Sequence, residues 1–134
     1  GAPDMRHAIG YALHWPERRD LPVARIDLAE LAKLEFHTPD LARYPALRLA
    51  REVMETRGAA GCVFNAAKEI ALDGFIAGEI GFMQMSAVVE ATLDAMSQEF
   101  RLTDAIETLE RVLQTDHLAR IRAQEQLRAI KEQS

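Results

Sequence analysis

"CVFNAAKEIA", residues Cys62 to Ala71, places two polar side chains inside a run of small and apolar residues. The pattern is typical of the middle of a helix. Asn65 and Glu69 are four residues apart and therefore share one face of that helix. The same face continues into Leu72 and Ile76, which are apolar. We therefore expect an amide and a carboxylate on a face that is at least partly buried.

Two interpretations account for this polar pair. A buried polar group without a hydrogen-bond partner costs about 1–3 kcal/mol, so both side chains need partners. Asn65 and Glu69 either contact a ligand or form a structural clamp that ties this helix to another helix end or to a linker. The alanines around them allow close approach of a neighbouring backbone, which favours the clamp. We expect Glu69 to accept backbone N–H groups and Lys68 to face water.

The region after residue 40 has the periodicity of successive amphipathic helices. Pro45 is a suitable first helical residue and Gly58 a suitable stop. The first helix is expected to bury a stripe of Leu47, Ala50, Val53 and Met54. Further helices are predicted over 60–77, 85–96, 102–113 and 117–132, with Thr115 and Asp116 separating the last two. Short connections favour antiparallel neighbours, so these helices predict a bundle.

The region before residue 40 is less regular. Asp4 is a good N-cap for a first helix over 4–14, which Trp15-Pro16 should end, because a residue that precedes proline is pushed out of the helical region. A long linker follows, in which "RIDLAELAKLEF" predicts a helical turn and a short extended piece over 33–36. The predicted fold class is mainly α: a small antiparallel helical bundle over 40–134, preceded by a linker over 16–39 and one detached N-terminal helix over 1–15.

Composition and charge exclude several classes of partner and of structure. The chain has 134 residues and a net charge of −5, which argues against nucleic acid and anionic membranes as partners, because both require a basic surface. No apolar run approaches the roughly 20 residues of a membrane span. Cys62 is the only cysteine, so no disulfide framework is expected. We predict a cytoplasmic location. The opening "GAPDMRHAIG" lacks an initiator methionine, which indicates a processed chain or a piece of a longer polypeptide.

Few residues carry recognisable chemistry. No glycine-rich phosphate loop follows a predicted strand. The four histidines lack metal-ligand spacing, and His7 and His14, although seven residues apart on one helix, are typical surface histidines. The basic residues of the last helix could bind an anion, but a solvated face with cations near the helix C-terminus explains them better; they are Arg120, Arg122, Arg128 and Lys131. We predict no catalytic residue and no metal site in this chain.

Three motifs occur in one order and spacing along the chain. They are "PDMRHAIGYALHWPER" from Pro3 to Arg18, "PDLARYPALRLAREVM" from Pro39 to Met54, and "NAAKEIAL" from Asn65 to Leu72. With these motifs the chain resembles the C-terminal part of the 1-deoxy-D-xylulose 5-phosphate reductoisomerase family. Lys68 departs from the family pattern, which has a second asparagine there. The resemblance implies an enzyme that isomerises its substrate and reduces it with NADPH to 2-C-methyl-D-erythritol 4-phosphate, in non-mevalonate isoprenoid synthesis.

The resemblance also implies what this chain contributes. The full-length enzyme would use NADPH and Mg²⁺ or Mn²⁺, would carry N-terminal Rossmann and catalytic domains in the same polypeptide, and would form a homodimer. Pro3 and Met5 would lie beside the nicotinamide and the substrate pocket, and Asn65 and Glu69 would be structural. No cofactor is expected on this chain alone, and the chain alone is expected to be inactive.

Two other interpretations of the helical pattern and of the basic residues remain open. The helical periodicity alone also fits a protein-interaction module from an unrelated protein. The basic residues of the last helix fit a small binding domain for an anionic ligand. Periodicity and composition do not separate these interpretations, whereas the three motifs in register favour the reductoisomerase family.

Overall fold

The computed structural model of the chain describes residues 4–132 and divides between Thr38 and Pro39 into two compact units. Every regular element in the described part is a helix. This confirms the predicted fold class, a mainly α chain with a helical bundle. The separation of residues 1–15 from a linker over 16–39 stays a prediction. The helices are α1 (Arg6–His14), α2 (Leu28–Leu31), α3 (Pro45–Thr56), α4 (Ala60–Ile76), α5 (Phe82–Glu99) and α6 (Leu109–Glu132).

The first unit begins with α1. The Asp4 carboxylate accepts the backbone N–H of Arg6 at 2.9 Å, although the helix starts two residues later than predicted, with Met5 at the N-cap position. Gly10 is the one buried residue among positions 4–38. A Cβ atom at Gly10 would lie 2.5 Å from Cδ1 of Leu21, so glycine lets the following segment lie against α1.

The remainder of this unit contains one short helix. Asp27 caps α2, because its side chain accepts the backbone N–H groups of Ala29 and Glu30 at 2.8 and 3.1 Å. Residues 33–36, predicted as a short extended piece, have no assigned secondary structure. The large apolar side chains of this segment are exposed; they are Leu28, Leu31, Leu34 and Phe36.

The second unit is the bundle, and α4 lies at its centre. The buried face of α4 consists of small residues, so neighbouring helices can approach its backbone closely. Gly74 shows the tightest approach, because a Cβ atom there would collide with Cδ1 of Leu127 on α6. The buried residues of α4 are Ala60, Val63, Ala66, Ala67, Ala71 and Gly74.

Two apolar clusters make up the bundle core. The first joins α3, α4, α5 and α6 around Ala67, Val88 and Leu127. The second joins α4, α5 and α6 around Val63 and Met96, and includes Leu102 from the connection before α6. Because α4, α5 and α6 contribute to both clusters, these three helices connect the whole core.

The predicted buried stripe of α3 is wrong except at Val53, which packs against the second cluster. Met54 is 70% exposed and Leu47 is 46% exposed, whereas Leu49 is only 2% exposed. The helix packs through Leu49 and Val53, a face rotated by about a quarter turn from the predicted one. Arg48, on the packed side, donates to Glu90 of α5 at 2.7 Å, a contact that agrees with this orientation.

The predicted division of the last helical region is also wrong. Residues 102–108 are not helical, and α6 runs without interruption through Thr115 and Asp116. The helix is capped at Thr108, whose hydroxyl accepts the backbone N–H of Arg111 at 3.3 Å. Asp116 bonds to Arg120 one turn further on and therefore does not start a new helix. No helix in residues 4–132 has the length and apolar character that a membrane span requires.

Candidate functional site

A cluster of polar side chains joins α4 to α6, and we name it the Arg120 network after its central residue. Glu69 accepts a hydrogen bond from Asn65 Nδ2 at 3.0 Å and from Arg120 Nη2 at 2.7 Å. Arg120 also donates from Nε to Asp116 at 2.7 Å. One guanidinium group therefore connects a carboxylate of α4 to a carboxylate of α6. The network consists of Asn65, Glu69, Asp116 and Arg120.

The electrostatics of this cluster follow from its hydrogen bonds. Hydrogen bonds from Arg120 and then Asn65 hold the pKa of Glu69 below its usual range. Hydrogen bonds to Asp116 and Glu69 raise the pKa of Arg120, which remains protonated. The side chains of Glu69 and Arg120 are 45% and 34% exposed, so solvent screens their attraction. This geometry favours holding two helices together over chemistry on a substrate.

The observed contacts differ from the predicted ones in two respects. Glu69 was expected to accept backbone N–H groups, whereas its donors are side chains. The face was expected to be partly buried, yet Asn65, Leu72 and Ile76 are exposed, because the bundle packs on the opposite, alanine-rich face of α4. Lys68 is exposed, as predicted, and donates to Asn65 at 3.1 Å. The clamp role of the pair stays a prediction.

Arg120 is the member of this cluster that the sequence reasoning did not assign. It lies 51 residues from Glu69, and helical spacing carries no information over that distance. The available signal was local: Asp116 and Arg120 are four residues apart on α6, a spacing that brings opposite charges together.

The family resemblance places Pro3 and Met5 beside a nicotinamide, and Met5 is the N-cap residue of α1. Pro3 lies outside the described residues. Met5 is 72% exposed and is flanked by Asp4 and Arg6, which pair through two Nε contacts of 3.0 Å. Hydrogen bonds from Arg6 lower the pKa of Asp4 to about 2. Arg6 also donates to the carbonyl of Pro22 at 3.1 Å, so the backbone around Met5 is held while its side chain is free to make contacts. The cofactor contact stays a prediction.

The described side chains do not form a metal site. Within residues 4–132, no three His, Cys, Asp or Glu side chains group closely enough to hold a metal ion. His14 Nδ1 bonds to the carbonyl of Gly10 at 2.7 Å, and Nε2 of His7 is buried without a partner. The described residues do not fit a divalent cation, so we assign no metal-dependent step to this chain.

The basic residues of the last helix are mostly neutralised. Arg122 Nε lies 2.7 Å from Oε1 of Glu99, and Lys131 Nζ lies 3.7 Å from Oε2 of Glu79. Arg120 belongs to the Arg120 network. These pairs disfavour the anion-binding interpretation, because an anion would have to displace carboxylates already in place.

The bundle also has an open apolar groove, which we call the α3–α5 groove. It encloses about 540 Å³ between the start of α3, the middle of α4 and the start of α5. Arg43 and Lys68 lie at its rim. Its principal apolar lining residues are Tyr44, Leu47, Phe64, Leu72, Phe82 and Met83.

Comparisons with known proteins place these features in a family. The family model described as the DXP reductoisomerase C-terminal domain matches residues 1–122. The 1-deoxy-D-xylulose 5-phosphate reductoisomerase of Jannaschia sp. (strain CCS1) is 68% identical over 120 residues, which are 90% of this chain and 30% of that relative. The enzyme of the same name from Ruegeria pomeroyi is 69% identical over 122 residues, covering 91% of this chain and 31% of the relative.

Solved structures agree with this assignment. The 1-deoxy-D-xylulose 5-phosphate reductoisomerase from Zymomonas mobilis, in complex with NADPH, superposes with a TM-score of 0.77 at 39% identity, over 95% of this chain and 32% of that one. A DOX-P reductoisomerase in complex with NADPH, fosmidomycin and magnesium gives a TM-score of 0.79 at 34% identity, over 98% of this chain and 33% of that one. The chain thus spans about a third of the length of the relatives that it matches.

Proposed function

This chain belongs to the DXP reductoisomerase family, and we propose that it is the C-terminal part of an enzyme that isomerises 1-deoxy-D-xylulose 5-phosphate and reduces it with NADPH to 2-C-methyl-D-erythritol 4-phosphate. One observation carries the proposal: identity of 68% to a reductoisomerase extends over 120 residues and so includes both units of the chain. Family membership removes the basis for an unrelated helical interaction module.

Within that enzyme we infer a supporting role for this chain. The described residues group into no metal site, and the Arg120 network is half-buried and spans two helices. NADPH and Mg²⁺ or Mn²⁺ would therefore be held by Rossmann and catalytic domains upstream in the same polypeptide. The enzyme would act as a homodimer in the cytoplasm. Asn65 and Glu69 would serve as a clamp through Arg120.

A chimeric enzyme tests the proposal. The part of the Jannaschia sp. reductoisomerase that precedes its matched segment is joined to this chain, and NADPH absorbance is followed with 1-deoxy-D-xylulose 5-phosphate and Mg²⁺. We expect turnover by the chimera and none by the separate 134-residue chain. An inert chimera, in a preparation where the intact Jannaschia enzyme is active, would contradict the proposal, as would turnover by the separate chain.

The same chimera tests the proposed contact of Met5 with the nicotinamide. A methionine is apolar, flexible and polarizable, which suits contact with a flat ring. Met5→Ala should raise the KM for NADPH or lower kcat without changing the melting temperature. Met54→Ala is the matched control, because Met54 is 70% exposed on the bundle. Equal kinetics for both variants would show that Met5 does not contact the cofactor.

A further inference from the structure

The α3–α5 groove is a large apolar surface left open on the bundle. Phe82 is 67% exposed, Met83 57% and Tyr44 50%. Single exposed apolar residues are normal, but a contiguous group lining one concave surface is typical of an interaction site. The groove lies entirely within residues 43–89, and the three helices that build it pack together in the core. The groove is therefore already present in the folded bundle.

The rim of the groove carries two positive charges. Arg43 lies over the ring of Tyr44, with its guanidinium carbon 5.5 Å from the centroid, and Lys68 donates a hydrogen bond to Asn65. Neither cation forms an ion pair with a carboxylate in the described part of the chain, although the Lys68 charge helps to lower the pKa of Glu69. An occupant with apolar side chains and flanking acidic groups would complement this surface.

We propose that the α3–α5 groove receives an apolar segment flanked by Asp or Glu from the upstream part of the reductoisomerase polypeptide. The inference rests on the proposed function. The chain matches only 30% to 34% of the length of its relatives, so most of such a polypeptide lies outside this structure and is available to cover the groove.

A second copy of the chain fits the groove less well. Two-fold pairing brings the same patch of both copies together, because the interface of a symmetric dimer is self-complementary. Pairing through this groove would place Arg43 and Lys68 near their own counterparts. Like charges brought together in an interface oppose association, so the rim charges favour an acidic segment over an identical groove.

Photo-crosslinking in the chimera described above tests this assignment. A benzophenone amino acid replaces Leu47 in the groove, and the matched control replaces Leu113, which is 60% exposed on α6 and outside the groove. After irradiation, mass spectrometry should find peptides that join position 47 to the upstream part of the same polypeptide, and none at position 113. A covalent dimer, the same crosslinks from both positions, or no crosslink at position 47 would overturn the proposal.

A charge reversal tests the acidic flank. Lys68→Glu should lower the crosslinking yield at position 47 about fivefold at low salt, the size expected for loss of a favourable surface charge pair. Arg128→Glu reverses another exposed charge outside the groove and should leave the yield unchanged. An unchanged yield with Lys68→Glu would rule out an acidic flank at that cation. Turnover of the unlabelled chimera reports separately on the proposed function, so the two failures are distinguishable.

Discussion

The two units of the chain keep their structure by different means. In residues 39–132, side chains such as Val63, Val88 and Met96 are almost wholly buried in two clusters. In residues 4–38, Gly10 is the one buried residue. The contacts that hold this first unit are largely polar: the Asp4–Arg6 pair and the hydrogen bonds of the Asp27 cap. Both units contain large apolar side chains, so composition alone does not determine burial. Stability should therefore depend on the bundle.

Removing a buried side chain from the bundle is the strongest test of this difference. Met96 is 1% exposed, and Met96→Ala should lower the free energy of unfolding by about 2–5 kcal/mol, through lost burial and the cavity left behind. Met5, in the first unit, is 72% exposed, and Met5→Ala should change the free energy of unfolding by less than about 0.5 kcal/mol. Urea unfolding of the two variants measures both. Similar losses would show that the first unit contributes to the stable core.

Glycine substitutions sharpen the comparison. Gly58 has φ +51°, and a Cβ atom there would collide with backbone atoms of residues 102–104. Gly58→Ala should therefore cost about 1–3 kcal/mol. A Cβ atom at Gly10 would meet Cδ1, Cδ2 and Cγ of Leu21, a side chain that can move, and alanine is the better helix former. Gly10→Ala should therefore cost less than Gly58→Ala. Thermal melts measure the stability of both variants. An equal loss of stability in both would mean that the two units are packed equally firmly.

The Arg120 network should have a smaller and pH-dependent effect. The folded pKa of Glu69 lies below its ordinary value of 4.5, so its ion pair stabilises the fold at neutral pH and loses that effect as the pH falls through the folded pKa. Glu69→Gln should lower the melting temperature by a few degrees at neutral pH. At acidic pH the melting temperatures of the variant and the unsubstituted chain should become equal. Lys68→Gln, on the same helix, should have a smaller pH dependence, because the Lys68 charge makes the smallest contribution to the lowered pKa of Glu69. A constant difference for Glu69→Gln would contradict a role for its charge.

The smallest expected effect lies in the first unit. Because Arg6 lowers the pKa of Asp4 to about 2, carboxyl NMR should show Asp4 titrating there, and Arg6→Ala should return it toward 3.8. The melting temperature of the bundle should not change. An Asp4 midpoint near 3.8 in the unsubstituted chain would mean that this pair does not form in solution.

The bundle could be predicted from the sequence where local signals agree. The limits of α4 followed from Gly58 and Gly78, both of which have positive φ. The orientation of α3 could not be predicted, because both of its candidate faces carry apolar residues, and only tertiary contacts separate them: the burial of Leu49 in the core and the pair of Arg48 with Glu90. The break predicted at Thr115 and Asp116 failed because a capping residue is also tolerated inside a helix when its side chain has a partner there.

The candidate site could be predicted only in part. The polar pair of Asn65 and Glu69 stood out from its apolar surroundings, but its partner Arg120 is on a helix far along the chain. Spacing within one helix identifies residues that share a face, not the surface that the face meets. The exposure of Leu72 was missed for the same reason, since the closest helix packing took place on the small residues of the other face.

The position of α6 in both core clusters has a consequence during synthesis. Ala119 belongs to one cluster and Leu127 to the other, and both are translated after α4 and α5. At about 5–20 residues per second, the ribosome needs roughly 2–7 s to proceed from the end of α5 to the end of α6. Throughout that interval the apolar faces of α4 and α5 in the nascent chain lack their α6 partner. Chaperones that bind exposed apolar segments therefore have seconds in which to engage it before the bundle closes.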